Sequence, residues 1–157
     1  MPVFVDTNVL VYRYDTSEPG KQRRCERWLD HLWAEATGRV SVQVLQELYV
    51  NLTSKLDSAM EPAEAQQVVR SLFAWSPIPV DPATIEGAWR LQKSYSLSWW
   101  DALIVAAAQS GGCSVLLTED LSHGQMLDDV RVVSPFREEP PKEKATAERG
   151  HQEVDRD

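Results

Sequence analysis

Residues 98–120 read SWWDALIVAAAQSGGCSVLLTED, and this stretch decides the fold. From Ala102 to Ala108 it is unbroken apolar sequence. A helix that is apolar on every side is one buried among other elements. Gly111 and Gly112 stop it in the usual C-terminal manner. The following CSVLLT is again continuously apolar, as in a strand covered on both faces. Two acids punctuate the stretch: Asp101 at the mouth of the helix and Asp120 just past the strand.

The same pattern extends outward in both directions. Val3 to Val5 form a short apolar run ending in DTN, which predicts a buried strand and a turn, with NVLVYRY leading into a short helical or irregular piece. A helix is predicted from about Lys21 to Ala36, with Cys25, Trp28, Leu29, Leu32 and Trp33 in a core-facing stripe and Gly38 as its stop. A second begins at Ser41 and places Val42, Leu45, Tyr49, Leu52 and Leu56 on one face. A third starts near Pro62, a fourth spans Pro82 to about Tyr95, and SPIPVD between them reads as extended. VRVVSPF is predicted as a last strand. Continuous apolar strands alternating with helices indicate an α/β fold with a central, mostly parallel β-sheet flanked by helices.

The chain has 157 residues, 43% hydrophobic and 25% charged, which is ordinary globular composition for one domain. That domain is expected over 1–136. Residues 137–157 carry five basic and seven acidic side chains and only three apolar ones, which predicts a charged flexible C-terminal tail with a fraying helix from Lys142 to Glu148. Cys25 and Cys113 stand in no metal or redox spacing and read as reduced and buried. With no basic leader, no cleavage site and no apolar run of about 18–20 residues, a cytoplasmic chain without membrane contact is expected. The net charge of −8 argues against nucleic-acid binding by a broad basic field. An enzyme whose acids hold cations is compatible with it.

Taken one at a time, the acids are ambiguous. Asp6 follows the first strand and Asp120 follows SVLLT, with Glu119 beside it. Ligands bind at the carboxyl ends of parallel strands, yet Asp also starts turns. If the two strands are neighbours, Asp6 and Asp120 emerge at one sheet edge, where like charges raise each other's pKa unless a cation lies between them. Asp101 with Ser98 fits a helix cap, and the helix dipole favours an acid there. By periodicity Glu47 lies about 200° from Leu45 and reads as solvated. Lys21, Arg23, Arg24 and Arg27 form the one basic cluster, a solvated face or a phosphate-binding one. There is no phosphate loop, no GxSxG and no HExxH.

Four features stand in order: VFVDTNVLVY, VQVLQELY, SWWDALIVAAA and LLTEDLSHGQ…VRVVSPF. Together they resemble a PIN-domain protein of the VapC type, the ribonuclease toxin of bacterial toxin–antitoxin pairs. The resemblance runs from Pro2 to Phe136. It implies a three-layer PIN-like fold and a site in which Asp6, Glu47, Asp101 and Asp120 hold Mg²⁺, with Mn²⁺ as the alternative. It would turn Glu47 to the cleft against the periodicity reading. Asn8 and Thr118 would support the site, and Glu119 would share or substitute in the fourth position. Lys21, Arg24 and Arg27 would position RNA.

The implied activity is hydrolysis of RNA phosphodiester bonds by metal-activated water, with a cognate antitoxin as partner and a homodimer as assembly. Magnesium is a hard ion that takes oxygen ligands, which carboxylates provide. Two other functions fit the same fold: an RNA- or protein-binding module without useful catalysis, and a housekeeping PIN nuclease without a toxin role.

Overall fold

A computed structural model describes residues 1–142; the helix expected over 142–148 lies outside the described residues but for its first. Strand β1 (Val3–Val5) runs into helix α1 (Thr7–Tyr12), followed by α2 (Pro19–Glu35), β2 (Gly38–Arg39) and α3 (Val42–Ser54). Helix α4 (Pro62–Ser71) continues as a 3₁₀ turn at Leu72–Trp75. Then come α5 (Pro82–Tyr95), α6 (Trp99–Ser110), β3 (Val115–Leu117), β4 (Met126–Leu127) and β5 (Val130–Val133).

The five strands form one sheet in the order β2-β1-β3-β5-β4. All neighbours are parallel except β4 and β5. In register, Val3 faces Val115 and Val5 faces Leu117, so β1 and β3 end together. Successive strand residues point to opposite faces. Phe4 and Val5, Leu116 and Leu117, and Val132 and Val133 are all fully buried. Both faces of the sheet are therefore covered, which is why these strands read as continuous apolar runs. Helix α6 lies on β3 and β5, and all seven residues from Ala102 to Ala108 are buried.

Within the described residues, the expected helices and three of the strands stand where the sequence puts them. The two-residue strands β2 and β4 had no apolar run to betray them. Ala36, in the left-handed conformation at φ 55°, ends α2, rather than Gly38. Gly38 serves close packing instead. A Cβ there would lie 2.6 Å from the Trp75 ring, so its bare Cα lets β2 approach that indole. The extended piece around Ile78 forms a lone parallel bridge with Ser41. Cys25 and Cys113 are free and buried, and burial pushes their thiols up to about 12 and about 11. Part of the expected tail is engaged: Trp28 Nε1 donates to the Glu138 carbonyl at 2.9 Å, and Arg131 holds the Glu138 carboxylate through two 3.0 Å bonds. No helix among the described residues is long and apolar enough to cross a membrane.

Candidate active site

Because β1 and β3 are parallel and in register, the residues that follow them meet at one edge of the sheet. The Asp6 amide still joins the ladder, donating to the Leu117 carbonyl at 3.0 Å. Its side chain caps α1, with Oδ1 accepting from the Thr7 amide at 2.7 Å. Oδ2 accepts from Thr118 Oγ1 at 2.8 Å and from Asn8 Nδ2 at 3.4 Å. Thr118 Oγ1 also accepts from the Asp120 amide at 3.1 Å. Asn8 Nδ2 reaches the Asp120 carboxylate at 3.1 Å. Thr7 Oγ1 donates to Glu47 Oε2 at 2.6 Å, and Gln43 Nε2 donates to Glu47 Oε1 at 3.0 Å. Asp6, Glu47 and Asp120 thus line one open cleft of about 490 Å³, joined by neutral donors.

Glu47 is the residue on which periodicity and packing part. Its helix buries Gln43, Val44, Leu45, Leu48 and Leu52, while Val42 is exposed. The buried face is rotated from the Leu45 stripe because α3 packs against both α1 and α4. That rotation leaves Glu47 half-buried at the cleft instead of in bulk solvent.

The electrostatics of this edge are unbalanced. Burial pushes the Asp6 carboxyl from its ordinary 3.8 up to about 6. Hydrogen bonds from Thr118 and Thr7 pull it down, and the charges of Asp120 and Glu47 push it up again. Among the described residues, no Lys, Arg or His forms an ion pair with Asp6, Glu47 or Asp120. The donors are all hard carboxylate oxygens, the set that suits Mg²⁺ or Mn²⁺ rather than a softer ion. In donor chemistry and charge the cleft fits such a dication. Thr7, Asn8 and Thr118 bridge the carboxylates, and among the described residues no three acids are gathered closely enough to form a finished ligand set.

Asp101 stands differently. Ser98 caps α6, its Oγ accepting from the Asp101 amide at 3.1 Å. The Ser98 half of the expected cap is therefore present, while among the described residues the Asp101 carboxylate accepts no bond in return from the Ser98 amide. Helix α6 joins β3 through a four-residue turn and lies against it, so it runs antiparallel to the strand. Its first turn consequently lies towards the sheet edge that carries Asp6 and Asp120. Asp101 is half-buried there, but it does not line the cleft.

The supporting residues divide. Asn8 and Thr118 bridge the carboxylates as described. Glu119 lines the cleft, but its carboxylate accepts from Tyr12 Oη at 2.8 Å and lies 3.6 Å from Lys21 Nζ. Its partners are thus Tyr12 and Lys21, while Asp120 is the one held by Asn8 and Thr118. Lys21 sits over the Tyr12 and Phe136 rings at 5.2 and 5.3 Å. Arg24 and Arg27 both pair with Glu139, and Arg24 Nε donates to the Pro135 carbonyl at 3.1 Å. Neither arginine lines the cleft.

Thr7, Tyr12, Asn51 and Lys55 belong to the cleft and escape a reading of sequence alone. The signal for two of them is spacing: Asn51 and Lys55 follow Glu47 at i+4 and i+8, so they share whichever face Glu47 takes.

The family model of the PIN domain matches residues 3–126. Among solved structures, the chain is similar to a toxin–antitoxin complex from Klebsiella pneumoniae, at 22% identity and a TM-score of 0.62, over 86% of this chain and 98% of that one. It is also similar to VapBC2 from Rickettsia felis, solved bound to a DNA fragment from its promoter, at 17% identity and a TM-score of 0.61, over 85% of this chain and 98% of that one. A third is DNA-bound VapBC from Salmonella typhimurium, at 15% identity and a TM-score of 0.62, covering 86% and 98%. At these identities the likeness is one of fold. No curated protein matches the chain. With a mostly parallel sheet in which β1 and β3 bring Asp6 and Asp120 to one edge, and a family match spanning most of its length, the chain belongs to the PIN domain family.

Proposed function

We propose that this protein is a metal-dependent endoribonuclease of the VapC type, the toxin of a toxin–antitoxin pair. PIN domains are generally nucleases, and the similar structures are toxin–antitoxin complexes. The observation that carries the proposal is the buried Asp6 carboxyl, flanked by Glu47 and Asp120, with no ion-paired base among the described residues.

Asp6, Glu47 and Asp120 would hold Mg²⁺ or Mn²⁺, with Asp101 approaching from the start of α6. When bound, the ion supplies positive charge at the phosphodiester and acidifies water for attack. The chain's own residues do the rest. Thr118 and the Thr7 amide keep Asp6 oriented and favour its ionised form. Thr7 and Gln43 fix the Glu47 carboxylate, and Asn8 ties Asp120 to Asp6. Such outer bonds orient ligands and tune their basicity. The cleft is open, so an extended single strand can lie across it.

The partner side draws support from large apolar side chains left exposed. Val42, Val50 and Phe73 lie on the α3–α4 side, and Trp89 and Trp100 on α5 and α6. Exposed apolar patches of this kind mark interaction sites. An antitoxin and a second copy of the chain are the proposed occupants.

The experiment is incubation of purified protein with labelled RNA in Mg²⁺ and in EDTA, alongside Asp6→Asn and Asp101→Asn. Cleavage that needs Mg²⁺ and is lost in both variants supports the proposal. Equal cleavage in EDTA, or full activity in the variants, overturns it.

A further inference from the structure

The cleft has five carboxylates in its lining: Asp6, Asp15, Glu47, Glu119 and Asp120. Among the described residues it has one basic residue, Lys55. Lys21 stands nearby but is engaged by Tyr12 at 3.2 Å and Glu119 at 3.6 Å. Lys55 is exposed, and among the described residues it forms no ion pair. An ammonium left free in a wall of acids is the one group there that attracts a phosphate directly.

Its position along α3 is set by the helix. Glu47, Asn51 and Lys55 succeed one another at intervals of four, so they form one row. The Asn51 Nδ2 donates to the Glu47 carbonyl at 2.7 Å, so that side chain lies back along the helix towards Glu47. At 1.5 Å per residue, Lys55 lies about 12 Å along the axis from Glu47. A stacked strand advances about 3.4 Å per nucleotide. Lys55 is thus too far out for the phosphodiester at Asp6 and Glu47, and correctly spaced for a phosphate a few nucleotides away. The bland role for Lys55 is at the helix end: it is the C-cap of α3, where a cation is favoured by the dipole. That role predicts an effect on stability and none on RNA.

We infer that Lys55 is a substrate-positioning residue, which holds a backbone phosphate flanking the scissile one and sets the path of single-stranded RNA along α3. The inference rests on the nuclease reading for its cleavage arm, and on the cleft alone for its binding arm.

The test compares wild type, Lys55→Gln, Lys55→Arg and Lys93→Gln. Lys93 is an exposed residue of α5 and serves as a control for net charge. Cleavage of a short single-stranded RNA is followed at several salt concentrations, and binding of the same RNA is measured by fluorescence anisotropy. For Lys55→Gln, KM should rise roughly five- to tenfold with kcat within about twofold, and the salt slope should fall by about 0.7, the share of one phosphate contact on a single strand. Lys55→Arg should restore KM, and Lys93→Gln should leave it unchanged. If wild type binds RNA in a Lys55-dependent manner but cuts nothing, the nuclease reading fails and the role of Lys55 stands. If wild type cuts RNA and Lys55→Gln behaves as Lys93→Gln does, the role of Lys55 is overturned and the nuclease reading stands.

Discussion

Thr118 Oγ1 donates a 2.8 Å hydrogen bond to Asp6 Oδ2, joining the ends of two parallel strands that lie 112 residues apart in the chain. The same hydroxyl accepts from the Asp120 amide, so one threonine orients two of the cleft acids. Thr118→Val keeps the shape and removes the hydroxyl. A hydrogen bond to a charged group contributes about 1.5–3 kcal/mol. Loss of such an outer bond typically weakens metal binding about 10–100-fold. A Mg²⁺ titration of cleavage rate should therefore shift to higher concentration by that factor, and stability in denaturant should fall by about the worth of the lost bond. An unshifted titration would show that Thr118 does not support the ligands.

Asp6 makes the metal-free protein sensitive to pH. The folded carboxyl keeps its proton up to about 6, whereas the ordinary carboxyl releases it near 3.8. The fold therefore favours the protonated form. Its stabilising contribution is full below 3.8 and is lost as pH rises through 6. A difference of that size corresponds to about 3 kcal/mol. In EDTA, Asp6→Asn should melt several degrees above wild type at a pH of about 7.5, and the difference should vanish near a pH of about 4. Added Mg²⁺ should raise the melting temperature of wild type and not of the variant. Identical pH profiles for the two proteins would refute this account of the site.

Ser98 and Asp101 separate capping from chemistry. Ser98→Ala removes the bond to the Asp101 amide and should cost about 1 kcal/mol of stability by denaturant titration. Its turnover under saturating Mg²⁺ should stay near wild type. Asp101→Asn keeps the backbone cap, so it should unfold at nearly the wild-type midpoint while losing cleavage. If the two variants lose activity alike, the carboxylate has no role beyond the helix end.

Gly38 bears on stability alone. A Cβ at this position would lie 2.6 Å from the Trp75 ring, which is buried. The indole has little room to retreat, since Trp33 packs on it at 4.7 Å between ring centroids. Gly38→Ala should cost about 1–3 kcal/mol, as overpacking of a filled core does. Denaturant unfolding of the purified variant checks it.

Much of this molecule is legible along the chain. The seven-residue apolar run of α6, the double glycine after it and the apolar triplets at Val3–Val5 and Val115–Leu117 specify buried helix, stop and covered strands through local patterning. Asp6 and Asp120 are legible for the same reason, because each closely follows such a strand. Strands β2 and β4 are not, since two residues carry no periodicity. Glu47 shows the limit most clearly. Its own helix places it opposite the Leu45 stripe, and only the packing of α3 against α1 and α4 turns it to Thr7 and the cleft. Lys55 inherits its place from that rotation, four residues at a time. Glu119, adjacent to a cleft acid in sequence, is drawn to Tyr12 and Lys21 instead. Arg24 and Arg27 belong to a basic cluster that the sequence leaves open between a solvated face and a phosphate-binding one, and in the structure both pair with Glu139. Sequence alone determined the order of elements and which acids stand at strand ends, because those depend on near neighbours. Which side chains share the cleft was decided by tertiary structure, because that depends on contacts between residues 40 to more than 100 positions apart.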